Sequence, residues 1–122
     1  MTVLTQEEII RFRTQLAAYP EALMALDVVE ECGGYLEDAI TVIMMRETGA
    51  EPDRGLNEVL EKCRKVVCQE EFRNDLLGGL LGVAIEPVAA SVGIPLGIAT
   101  AVVMYAYKKG INQFCDASDS AS

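Results

Sequence analysis

Paired carboxylates, cysteines, serines and one isolated glutamate are the residues here whose types could do chemistry. Glu30-Glu31 and Glu37-Asp38 flank a Gly33-Gly34 turn. Two carboxylates are the minimum for acid–base work such as glycoside hydrolysis. Glu37 and Asp38 are adjacent, so on a helix they point apart. Acids near a helix N-terminus also complement its dipole. These pairs, with Glu7-Glu8 and Glu70-Glu71, are therefore expected to form solvated faces.

The chain contains no His. Ser91, Ser118, Ser120 and Ser122 therefore lack a base, and the cysteines lack the partner that activates a thiol. Every His-containing metal site is excluded too. Gly78-Gly79 and Gly82 are not followed by the Lys and Ser/Thr of a phosphate loop. No catalytic, cofactor-binding or metal-ligating residue is expected, and no enzyme. Cys32, Cys63, Cys68 and Cys115 have irregular spacings and no Cys-x-x-Cys. They are expected as small apolar residues in a reducing compartment, with a disulfide or a metal site as the alternatives.

The elements that must position these residues follow from composition and periodicity. At 122 residues, 51% hydrophobic and 24% charged, the chain is long and apolar enough for one folded domain. Its formal charge of −9 argues against a nucleic-acid partner, which would need a basic face. The charge is unevenly placed. Residues 1–75 hold 16 of the 19 acids and 8 of the 10 bases, whereas residues 76–107 hold Glu86 alone. A lone carboxylate in an apolar run must be paired, protonated or exposed. Glu86 is expected to reach solvent or a cation beside Pro87, and the functional alternative is a proton- or cation-responsive switch.

The pattern is all-helical. Thr5-x-x-Glu8 is a capping box before Ile9, Phe12, Leu16 and Ala17, which predicts a helix from about 6 to 18. Pro20 opens a second helix that Gly33-Gly34 ends. A third runs from about 35 to 47. A loop follows at 49–55. Leu56, Val59, Leu60, Cys63, Val66 and Val67 form a helical stripe that continues toward Asp75. Residues 76–107 are apolar on all sides and split at Gly93-Ile-Pro95, which predicts a hairpin of helices at about 76–91 and 95–113. Residues 116–122 read as a frayed tail.

The apolar hairpin has two homes. It either forms the centre of a bundle that the amphipathic helices cover, or it enters a membrane. Val88 to Tyr107 is a run of 20 uncharged residues followed by Lys108-Lys109, as a span with a cytoplasmic anchor would be. Gly78-x-x-x-Gly82 and Gly93-x-x-x-Gly97 are small-residue pairs of the kind that pack membrane helices. A bundle that releases the hairpin into a membrane joins the two readings. The start, Met1 to Glu8, has neither a basic nor an apolar leader region, so a cytoplasmic protein is expected, with membrane association as the alternative.

Residues 6–45 resemble the ubiquitin-associated (UBA) type of three-helix domain. The resembling residues are Glu7-Glu-Ile-Ile10, Tyr19-Pro20, Ala22-Leu23, Ala25-Leu26 and Glu31-Cys-Gly-Gly-Tyr-Leu-Glu-Asp-Ala-Ile40. The match covers about a third of the chain. In that family the first turn and the end of the third helix form the partner-binding patch. The resemblance therefore implies Ala18, Tyr19, Pro20, Ile43, Met44 and Met45 as candidate partner-binding residues. The first turn reads Ala-Ala-Tyr where the family usually carries Met-Gly-aromatic, so the implied role is the milder one of a three-helix interaction module.

The expectation is an all-α bundle of five or six helices, with residues 1–115 as one domain. Within it lie an N-terminal three-helix unit (1–48), an amphipathic helix (55–75) and a C-terminal apolar helical hairpin (76–113). The function expected is a non-enzymatic interaction or adaptor protein, an oligomer or a subunit, with no cofactor and no small-molecule substrate. The alternative is a membrane-spanning or membrane-inserting protein, in which Glu86, Lys108 and Lys109 are the candidate membrane or switch residues.

Overall fold

The computed structural model describes residues 2–49 and 52–121, with side chains for 2–49 and 56–116. Its elements are α1 (Gln6–Gln15), α2 (Pro20–Glu31), α3 (Leu36–Thr48), α4 (Pro52–Val67), α5 (Glu70–Leu77), α6 (Gly82–Val92), α7 (Leu96–Lys109) and α8 (Ile111–Ala121). The all-α class holds, and no strand occurs among the described residues. The helix count is eight among those residues, not five or six.

The extra helices come from three local breaks. At Cys68-Gln69 the backbone leaves the helix, and Gln69 is extended as the N-cap of α5. The stripe of α4 therefore does not run on to Asp75. Gly78 to Leu81 interrupts the helix expected at 76–91, so α6 starts at Gly82. Gly110 ends α7, and α8 takes in the segment expected as a tail. The expected loop at 49–55 lies partly outside the described residues, and the backbone is helical from Pro52.

The local signals act as the sequence suggests. Thr5 and Glu8 form the reciprocal capping box of α1. Pro20 opens α2. In α4, Leu60, Cys63, Val66 and Val67 are buried.

The core centres on α7. Residues 97–106, ten in a row, are all buried, so this helix is enclosed around its whole circumference. It packs against α2, α3, α4, α6 and α8. Gly97, Ala99, Ala101 and Ala106 let those backbones approach. The Thr100 hydroxyl, polar in this setting, donates to the Leu96 carbonyl at 2.8 Å. Phe12 of α1 meets Tyr107 edge-on, with ring centroids 5.6 Å apart.

The other half of the predicted hairpin behaves differently. In α6, Ala84, Ile85 and Val88 are buried, while Val83, Glu86, Ala90 and Ser91 are exposed. Within neither small-residue pair do the two glycines share a helix: Gly78 caps α5 while Gly82 opens α6, and Gly93 caps α6 while Gly97 lies in the first turn of α7. Among the described residues no helix is long and apolar enough to cross a membrane.

Polar clamps hold the joints. From α1, the Gln15 side chain donates to the Gly79 carbonyl at 2.8 Å and accepts from the Leu81 amide at 2.7 Å, which fixes the turn before α6. The Thr2 to Leu4 segment lies along the α2–α3 turn. Leu4 donates to the Gly34 carbonyl at 2.9 Å, and Leu36 donates to that of Thr2 at 2.9 Å. Gly34 has a φ of +90°, and a Cβ there would stand 2.5 Å from the Leu4 carbonyl oxygen.

Two cysteines depart from the expectation of free thiols. Cys68 and Cys115 form a disulfide, with Cα atoms 5.7 Å apart across a sequence separation of 47. It ties the α4–α5 joint to α8 and removes the cysteine argument for a reducing compartment. Arg64 reinforces the seam. Its Nε donates to the Phe114 carbonyl at 2.9 Å, and its guanidinium lies 4.9 Å from the centre of that ring. Cys32 and Cys63 are free.

Two stability predictions follow from these joints. Gly34→Ala combines a left-handed backbone with a carbonyl clash and is expected to cost about 2–3 kcal/mol in urea denaturation. Gly33→Ala carries the same left-handed strain, at a φ of +69°, but without the clash, and is expected to cost less. Cys115→Ser is expected to cost about 2–4 kcal/mol by the loop-entropy argument. Calorimetry should then show a midpoint lower by roughly 10 °C. Reductant should lower the parent to match, and an unchanged midpoint in both would mean that the bridge contributes nothing.

Candidate functional site

The candidate partner-binding residues divide between core and surface. Ile43 and Met44 are 4% and 2% exposed. Both serve mainly the packing of α3, so neither stands out from the surface as expected, and Ile43 reaches the surface only as part of the floor of the groove described below. Tyr19 is half-buried against the core, Pro20 is exposed, and Met45 is 52% exposed. Met45 sits about 200° around α3 from Ile43, so the two cannot share a face.

The candidate membrane and switch residues lie at the surface or in contact with side chains of their own chain. Glu86 is exposed on α6 and so needs no buried partner. Lys108 Nζ donates to Glu8 Oε1 at 2.8 Å. Lys109 Nζ donates to the Tyr105 hydroxyl at 3.2 Å and lies 5.4 Å from that ring centre. Both lysines are engaged by their own chain.

The acid pairs are dispersed in the same way. Asp27 and Glu30 both pair with Arg13, at 2.8 and 2.9 Å, and Glu31 lies 3.7 Å from Arg46. Glu37 accepts from the Thr2 amide at 2.9 Å. Each of these four carboxyls is thus engaged by a cation or a backbone amide of the chain itself. Burial pushes the Cys63 thiol up to about 12, which keeps it protonated and inert. Cys32 is raised by burial and then by Asp38 and Glu31. Among the described residues no three His, Cys, Asp or Glu gather to hold a metal. Ser118 and Ser120 lie outside the described side chains, and Ser122 lies outside the described residues.

What the fold does assemble is a groove of about 310 Å³ where α2 and α3 cross the start of α7. Ala25, Val28, Ile43 and Gly97 supply its apolar lining, and Met24, 64% exposed, stands at the edge. Glu21, Asp27, Glu31, Arg46 and Glu47 supply the charges. Gly97 makes the crossing close. A Cβ there would lie 3.4 Å from Glu47 Oε1, 3.6 Å from the Glu21 carbonyl oxygen and 3.8 Å from Ile43 Cγ2. Burial, and then the charge of Glu21, raise the Glu47 carboxyl above its usual range. The periodicity of α2 alone marks Met24 as off its apolar stripe. No local signal joins positions 21, 47 and 97.

A second exposed apolar run is the knuckle of Leu77, Leu80 and Val83 at the α5–α6 turn. Its three residues are spaced three apart along the chain and carry no charge.

Glu8 couples the ends of α1 and α7 and sets a pH dependence. Burial raises its carboxyl, but the bonds from Lys108 and from the Thr5 amide outweigh that and hold it below 4.5. A carboxyl lowered on folding adds stability above its unfolded value and loses it as the pH falls through the folded one. Glu8→Gln is therefore expected to cost about 1–2 kcal/mol at neutral pH. Urea titrations should show that cost shrinking as the pH drops below 4.5, the unshifted value. A cost independent of pH would leave packing alone as its source.

No family model, no curated protein and no solved structure matches this chain, so its groove and helices stand on their own geometry.

Proposed function

We propose that this chain is a non-enzymatic helical protein–protein interaction module that takes its partner in the α2–α3–α7 groove. The observation that carries the reading is the groove itself: an apolar floor beside an exposed methionine, edged by acids. Methionine is an adaptable contact residue. The UBA-like resemblance of residues 6–45 implies a partner patch at the first turn and the end of the third helix, and of its six residues Ile43 is the one that lines this groove. In this reading α1–α3 act as the three-helix unit, and α7 is the post that braces them. The partner is another protein or a second copy.

Photocrosslinking in cells that carry the protein tests this. A benzoylphenylalanine at position 24 is expected to trap a discrete product, whereas the same group at exposed position 86 is expected to trap none. Light scattering on the purified chain then identifies whether the product is a second copy. Equal trapping at both positions, or none at 24, would remove the groove as the docking surface.

A further inference from the structure

We propose that the groove accepts a basic amphipathic helix, whose aliphatic side chains sit on Ala25, Val28 and Ile43 while a Lys or Arg head lies between Glu21 and Glu47 above Gly97. This rests on the interaction reading above and adds the chemistry of the partner.

The charge bookkeeping of the rim points there. Asp27 already has Arg13 at 2.8 Å, and Glu31 has Arg46 at 3.7 Å. Among the described residues no cation pairs with Glu21 or Glu47. The first turn of α7 offers Glu47 only the positive end of a helix dipole, equivalent to about half a charge. A purely apolar partner closing over this floor would strip water from both carboxylates without replacing it, which is costly. A cationic head answers both at once. An acidic partner, or an anionic lipid surface, would meet repulsion. A second copy docked through the same groove would set acids against acids. The chain's formal charge of −9 adds long-range attraction for a basic segment.

Size favours a helix over a folded domain. About 310 Å³ is near the lower end of small-ligand clefts, which run roughly 300–1,000 Å³. That is room for a few side chains from one edge of a helix, the groove mode used by many amphipathic partners.

The test uses fluorescence anisotropy with two designed helical peptides of identical leucine pattern, one bearing lysines and one bearing glutamates. The parent chain should bind the lysine peptide and not the glutamate peptide. Glu21→Gln with Glu47→Gln should weaken the lysine peptide at least tenfold. Glu70→Gln with Glu71→Gln makes the same charge change on α5, away from the groove, and should weaken it less than twofold. Equal weakening by the two pairs would overturn the proposal, because the attraction would then be bulk charge. Equal binding of both peptides, or of neither, would overturn it as well. Met24→Asp separates the two levels. If it abolishes binding while the Glu21 and Glu47 changes do nothing, the groove stands and the cation site falls. If it changes nothing, and neither peptide shifts the Ala25 and Val28 amide resonances, the groove reading itself falls.

Discussion

The enclosure of α7 is the constraint on which the rest of the structure depends. A helix buried at ten consecutive positions has no face to give to water. It needs neighbours on every side, and a chain of 122 residues must spend most of its other helices to provide them. Small residues at Gly97, Ala99, Ala101 and Ala106 make this feasible by thinning the central rod. The amphipathic helices turn their stripes inward onto it, so nearly all their charge faces outward. The acidic surface is a consequence of that arrangement.

An enclosed helix also demands well-fixed joints, because each surrounding element is short. The joints are fastened by polar groups that reach across sequence. Gln15 holds the turn before α6, Glu37 holds the N-terminal segment, and Glu8 with Lys108 links the first helix to the end of the central one. The Cys68–Cys115 bridge and Arg64 secure α8 in the same manner. Among the described residues no buried side-chain polar atom is left without a partner.

The groove is a by-product of the same packing. Where α2 and α3 pass over the start of α7, the absence of a side chain at Gly97 leaves the crossing close and its surface bare. Acids that sit harmlessly on the outer faces of two helices are brought together there. Two of them, Glu21 and Glu47, end up beside apolar floor with no cation paired to them among the described residues, since Arg46 in the same lining lies against Glu31.

Features that depend on neighbours along the chain were legible before any fold was known. Thr5 and Glu8 make a capping box, Pro20 starts a helix, Gly33-Gly34 ends one, and the α4 stripe turns inward, because each acts within a few residues. The absence of His excluded whole classes of catalysis without any coordinates. Features that depend on distant pairs emerged only from how the helices pack. That residues 97–106 are enclosed by the chain's own helices could not be read locally, since an apolar helix has the same pattern whatever surrounds it. The pairing of Cys68 with Cys115, the capture of Lys108 by Glu8, and the burial of Ile43 and Met44 each follow from which helices meet. So does the meeting of Glu21, Glu47 and Gly97. Periodicity marks which side of a helix is apolar, but only packing chooses what that side touches.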